Sequence, residues 1–108
     1  MKLVIIESPY AGDIEANVHY ARQCVRESLC RGEAPIASHL LYTQPFILRD
    51  GVPEERAWGI AAGLAWLRVA DFTAVYVDHG VSAGMEKGIK AAQDAGREVI
   101  YRTLWLGK

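Results

Sequence analysis

The residues able to do chemistry gather at three places along the chain. The richest is Val77-Asp78-His79-Gly80-Val81-Ser82-Ala83-Gly84-Met85-Glu86-Lys87-Gly88. A β-branched run ends there, small residues follow, and an amphipathic run opens. The free backbone N–H groups of a helix's first turn point outward from its start. Glu86 falls in or just after that turn, where the helix dipole favours a charged carboxylate. A carboxylate at a cleft mouth can serve as a nucleophile or a base. Gly80, Gly84 and Gly88 keep the wall low, so that a ligand can approach the backbone beside His79, Ser82 and Met85. The plainer alternative is that Glu86 only complements the dipole and the glycines only serve packing.

The second place is Glu7-Ser8-Pro9-Tyr10-Ala11-Gly12-Asp13. Tyr10 can offer a hydroxyl to a reacting carboxylate or a ring face to a base. Ser8 and Gly12 would line the same opening, and Asn17 could reach back to it from one helical turn onward. A capped turn with Tyr10 half-buried explains these residues equally well. The third place is Ser38-His39. His39, like His79 after Asp78, is either a ligand contact or a hydrogen-bonded structural histidine. No Ser-His-Asp order or nucleophile elbow is present, and the glycines fit neither the P-loop nor GxGxxG.

These segments need elements to position them. Leu3-Val4-Ile5-Ile6 is a continuous apolar run of the kind a strand buried on both faces carries. Asp13 can cap a helix over 14–31, with Ile14, Val18, Ala21, Val25 and Leu29 inward, and Gly32 ends it. Residues 34–38 are expected to form a short strand, at an outer position because Pro35 cannot donate to the ladder. Residues 39–52 are expected to be a long loop. Pro53 suits the first position of a helix to about Ala70. Residues 72–77 form the third strand, Ser82 opens the last helix with Met85, Ile89 and Ala92 inward, Gly96 stops it, and residues 98–103 form the fourth strand. Strands alternating with helices imply parallel pairing through right-handed crossovers. The expected fold is a small three-layer α/β/α sandwich, flavodoxin- or Rossmann-like, with a parallel sheet of four to five strands. In such sheets ligands bind beyond the carboxyl ends of the strands, where strand order reverses. That rule selects residues 7–13, 38–45 and 78–86.

The helix from Pro53 carries Trp58, Ile60, Ala61, Ala62, Leu64, Ala65, Trp66, Leu67 and Val69, and is apolar nearly all round. One side is expected to face the sheet and the other a second copy of the chain, with Gly59 and Gly63 admitting a close helix. The alternative is a helix covered by the 39–52 loop.

Composition limits the function classes. The 108 residues, 51% hydrophobic and 23% charged, suit a single globular domain spanning 1–108. Twelve basic and 13 acidic residues give a net charge of -1, so a bulk basic surface for duplex nucleic acid is absent. No apolar run is long enough to span a membrane. The start, MKLVIIESPY, is too short in apolar residues for an export signal and reads as a strand, which points to the cytoplasm. Cys24 and Cys30 lie on separate helical faces and are expected to be reduced thiols. His19, His39 and His79 lack zinc-site companions, and no metal or cofactor is expected.

Tyr10-Ala11-Gly12 after the first strand, Ala70-Asp71 before the third, and Ser82-Ala83-Gly84-Met85-Glu86-Lys87-Gly88-Ile89 resemble the nucleoside 2-deoxyribosyltransferase superfamily. The chain is most similar to its short members found in phages and bacteria. The resemblance spans nearly the whole chain and is strongest at Gly84-Met85-Glu86-x-Gly88. It implies that Glu86 attacks the anomeric carbon of a deoxynucleoside, forming a deoxyribosyl-enzyme that a second base or water resolves. It also implies that Tyr10 orients Glu86 and that Asp78 approximates the acid near the leaving base. The chemistry is that of a retaining glycosidase. One departure stands out. Transferases of the family carry a base-contacting aspartate in the helix before the third strand, and that place falls near Gly63. Asp71 itself is expected to cap a helix end or turn. A missing proton donor would slow base departure by about 10²–10⁴-fold.

Three functions compete. The first is an N-glycosidic enzyme acting on nucleosides or nucleotides by hydrolysis or base exchange, which needs Glu86 aimed into an open crevice by the amides around it. The second is a non-catalytic module that senses or sequesters a nucleotide, with Arg49, Arg56 and Lys87 as candidate phosphate partners. The third is a small oligomeric interaction protein whose glycines serve assembly alone.

Overall fold

In the computed structural model, residues 1–105 are described. The elements are β1 (Leu3–Glu7), α1 (Ile14–Cys30), β2 (Ala34–Ile36), α2 (Ser38–Leu41), α3 (Pro53–Ala65), a single 3-10 turn (Trp66–Arg68), β3 (Phe72–Tyr76), α4 (Ala83–Asp94) and β4 (Glu98–Arg102). All strands are parallel, in the order β2-β1-β3-β4. The expected α/β sandwich is therefore present, with four strands and with Pro35 in an edge strand.

The alternation of β1 sorts the core into two layers. Val4 and Ile6 join Tyr20 and Cys24 of α1, with Phe72, Ala74 and Tyr76 of β3. Ile5 faces the other way and joins Leu67, Ala70 and Ala92, with Val99 packed against them. One layer is thus roofed by α1 and the other by α4 and the 3-10 turn. Helix ends follow local chemistry. Asp13 accepts a hydrogen bond from the Ala16 amide at 3.2 Å, and Ser82 Oγ accepts from Met85 N at 3.3 Å. Gly32 and Gly96 end α1 and α4 with φ of 82° and 70°, which glycine adopts without strain.

On the α1 side, Arg102 makes a buried ion pair with Glu33 at 2.6 Å and lies over the Phe72 ring at 5.4 Å. Tyr76 links that pair to α1 by donating to Glu27 at 2.6 Å. Asp71, expected to cap a helix end or turn, instead reaches across to another strand. Its carboxylate accepts from the Leu3 amide at 2.7 Å, stitching β3 to β1 at the end of the sheet opposite the switch-point loops.

The segment expected as one loop holds α2 and a series of turns. The helix expected over 53–70 ends at Ala65 and tightens into the 3-10 turn. Its placement also differs from expectation. α3 packs on α2 rather than on the sheet, and none of its residues is buried. Gly59 and Gly63 face Leu48 and Ser38 of the same chain, so that seam serves α2 and the loop after it instead of a second helix. Trp58, Ile60 and Leu64 remain exposed.

Candidate functional site

The chain leaves β1 toward β2 on one side and runs from β3 to β4 on the other, so strand order reverses between β1 and β3. The loops leaving those two strands, residues 8–13 and 77–82, bound the crevice where such a sheet takes ligands.

On the β3 side the chain turns at Gly80, whose φ of 81° needs a glycine. Gly80 N donates to Val77 O at 2.9 Å. Ser82 then caps α4, and its own amide meets Met85 Sδ at 3.4 Å. Met85 is 1% exposed. It is a core residue that completes the cap, which corrects the expectation of a ligand contact. Gly84 has open space where a Cβ would sit, its nearest neighbour being Ser82 Oγ at 4.0 Å. A low wall is therefore real at Gly84.

Glu86 lies in the first turn of α4 and is exposed. Among the described residues no amide or side chain hydrogen-bonds its carboxylate. The expectation that surrounding amides would hold and aim it is corrected accordingly: the group is reachable but not fixed.

Asp78 has a different setting from the one expected. It accepts from Tyr20 Oη at 2.5 Å, from Leu104 N at 2.9 Å and from Trp105 N at 3.2 Å. Burial works to raise its pKa, but these donors outweigh it and hold the carboxyl below its ordinary value. A carboxylate held ionised by several donors is a poor proton donor, so Asp78 tethers the segment after β4 rather than serving a leaving base. Around it Tyr20, His79 and Trp105 form an aromatic group, with His79 4.5 Å from Tyr20 and 5.1 Å from Trp105 between ring centres. His79 and Trp105 are exposed.

On the β1 side Ser8 is buried and its hydroxyl lies 2.7 Å from His39 Nε2. Burial pushes the His39 pKa down to about 4, so the ring is neutral near pH 7. The sheet thus brings together two candidates that stand far apart in sequence. Asn17 does not reach the crevice. Its amide donates to the carbonyls of Tyr10 at 3.0 Å and Ala11 at 3.1 Å, fixing the loop. Gly12 takes a φ of 104° in that loop. Tyr10 is half-buried, and among the described residues its hydroxyl makes no hydrogen bond, to Glu86 or otherwise.

Sequence reading passed over Glu7. Burial raises its pKa to about 7, and its carboxyl rests against Gly88 of α4. The signal was available: an acid closes an otherwise apolar strand, at the parity of Ile5 and hence on the α4 side. Among the described residues no group of three or more His, Cys, Asp or Glu is placed to hold a metal ion. No helix among them is long and apolar enough to cross a membrane.

Comparison with known proteins gives a family and a fold. Residues 2–102 match the family described as "Domain of unknown function (DUF7768)". Among solved structures, the chain is similar to the 2-deoxyribosyltransferase of the psychrotolerant bacterium Bacillus psychrosaccharolyticus. The TM-score is 0.66 at 19% identity, over 94% of this chain and 72% of that one. It is also similar to the 2-deoxyribosyltransferase of Leishmania mexicana, with a TM-score of 0.66 at 9% identity, over 95% of this chain and 65% of that one. Less than two thirds of the Leishmania protein is therefore spanned. A search of curated proteins finds no match. At such identities the likeness establishes a shared fold.

Proposed function

The chain belongs to the family described as "Domain of unknown function (DUF7768)", and from its fold and the place of Glu86 we propose that it cleaves or exchanges the N-glycosidic bond of a nucleoside or nucleotide, with Glu86 as nucleophile. The observation that carries the reading is the position of Glu86; since no amide among the described residues aims its carboxylate, the bound sugar has to orient it. Glu86 stands in the first turn of α4, beside the switch point of the sheet, next to a glycine that leaves the approach open. The fold shared with two 2-deoxyribosyltransferases supports a nucleoside as the ligand class.

In the proposed reaction a Glu86 oxygen bonds to the anomeric carbon as the base departs, and water or a second base then displaces Glu86. The exposed rings of His79 and Trp105 offer a face for the base. Tyr10 keeps a hydroxyl available to the sugar or to Glu86. Two free cysteines, Cys24 buried and Cys30 exposed, suit a reducing compartment such as the cytoplasm. The outer side of α3 is proposed to pack on a second copy of the chain.

A second reading, nucleotide binding without turnover, draws on Glu86, whose carboxylate no group among the described residues fixes, and on Gly63, which puts no acid at the place in the helix before β3 where the resemblance implies a base contact. The test is incubation with pooled deoxynucleosides and their monophosphates, followed by assay for free base. The catalytic reading expects base release by the native protein and none by Glu86→Gln at unchanged fold. Thermal stabilisation by a nucleotide with no base released would favour the binding reading.

A further inference from the structure

Glu7 is the last residue of β1, and the alternation that sends Ile5 to the α4 layer sends Glu7 there as well. Its carboxyl lies where a side chain on Gly88 would be: a Cβ at Gly88 would stand 2.8 Å from Glu7 Oε1 and in overlap with Oε2. Glycine at 88 is what admits this acid beneath the first turns of α4. Among the described residues, no hydrogen bond or ion pair reaches the Glu7 carboxyl.

A hidden acid without partners resists ionisation, and burial alone accounts for the raised pKa of Glu7. The elements around it supply no counter-charge. Its register partner on β3 is Val75. On the β2 side, His39 is neutral and engaged with Ser8. On α4 the charged residues flanking Gly88, namely Glu86, Lys87 and Lys90, are exposed, and Lys90 pairs with Asp94 at 3.1 Å. Glu7 thus keeps hold of a proton up to about pH 7, at the end of β1 and against Gly88 of α4. Glu7 and Glu86 approach one stretch of α4 in contrasting settings, one hidden and one open. Two carboxyls whose environments differ in this way divide naturally into an acid and a nucleophile.

We propose that Glu7 is the proton donor for the departing base, supplying what the chain lacks at Gly63. The proposal rests on the reading of Glu86 as nucleophile. A Glu86 oxygen bonds to the anomeric carbon, the carbon–nitrogen bond breaks, and its electron pair stays on the base. The base takes the proton from Glu7. Glu7, now a carboxylate, accepts a proton from the water that attacks the anomeric carbon, the bond to Glu86 breaks, and both side chains return to their starting states. The net change is nucleoside plus water to free base plus sugar.

The experiment compares two substrates: a deoxynucleoside cleaved by the native protein, and 4-nitrophenyl 2-deoxyriboside, whose leaving group departs without a proton. Glu7→Gln is expected to lower the first-turnover release of base from the nucleoside by about 10²–10⁴-fold and to leave the first-turnover burst of nitrophenolate nearly as fast. Losses are compared on that first turnover, because the later attack of water calls on Glu7 with either substrate. The native protein should lose nucleoside cleavage as pH rises through about 7 and keep nitrophenyl cleavage over the same range. Equal losses on both substrates, or no loss on either, would overturn the proposal. Should Glu7→Gln fail to fold, the native pH profiles decide, and parallel profiles overturn it. Native protein that cleaves neither substrate defeats the Glu86 reading and this proposal together. Native cleavage of both, unaltered by Glu7→Gln, defeats this proposal alone.

Discussion

At the scale of single residues, Glu7 and His39 make opposite demands on pH. Glu7 binds its proton more tightly folded than unfolded, with a pKa raised from 4.5 to about 7. Its contribution is full at low pH and is lost as pH climbs from about 4.5 to about 7. His39 binds its proton less tightly when folded, with a pKa lowered from 6.5 to about 4. Its contribution is full above 6.5 and is lost as pH falls toward 4. The two slopes oppose each other over the same interval and largely cancel in the native protein. Glu7→Gln should expose the histidine slope, with stability in urea rising by about 2 kcal/mol from pH 4 to 6.5. His39→Gln should expose the reverse slope. A Glu7→Gln protein whose stability stays flat over that interval would contradict both assignments. The sequence alone left His39 open, because nothing local announces that its partner is Ser8. Met85 takes the inward place that its spacing with Ala92 predicts, and that same burial leaves it no contact to offer a ligand.

At the scale of elements, the boundaries were the most legible part. Asp13, Gly32, Pro53, Ser82 and Gly96 act locally, through side-chain caps, a fixed φ or a positive φ, and each ends or begins a helix where expected. The placement of α3 was not legible, since a helix apolar on every side carries no pattern that names its inward face. The contacts show why its glycines are there. A Cβ at Gly63 would stand 2.7 Å from Ser38 Oγ and 3.1 Å from Ser38 Cβ. The serine side chain is too short to swing far, so α2 and α3 would have to separate. Gly63→Ala should therefore destabilise the protein by about 1–3 kcal/mol through overpacking, despite a gain of up to about 1 kcal/mol in helix propensity. Adding Ser38→Gly should recover most of that loss in urea melts. A Gly63→Ala protein as stable as the parent would show that the seam is loose.

At the scale of the whole molecule, four parallel strands and two roofed layers place the carboxyl ends of β1 and β3 side by side, so that Glu7 and the loop leading to Glu86 meet across the switch point. That convergence could be anticipated from element order, whereas the inward aim of Glu7 depended on strand parity. The molecule also carries an apolar surface with no cover of its own: Trp58 is 61% exposed, Ile60 57% and Trp66 42%. Large exposed apolar side chains of that kind on a chain with a net charge of only -1 favour self-association. Sedimentation of the native protein is expected to show a homo-oligomer, and Trp58→Ser with Ile60→Ser to yield monomer. A monomeric native protein at high micromolar concentration would remove the proposed interface and leave the crevice proposal standing. The central claim, that Glu86 forms a bond to the sugar, is tested most directly by mass spectrometry of the protein incubated with a nucleoside bearing fluorine at the 2-position, which slows release of the glycosyl-enzyme. The account predicts one added sugar on the peptide that contains Glu86 and none on Glu86→Gln. A sugar attached elsewhere, or base released by Glu86→Gln as fast as by the parent, would contradict it.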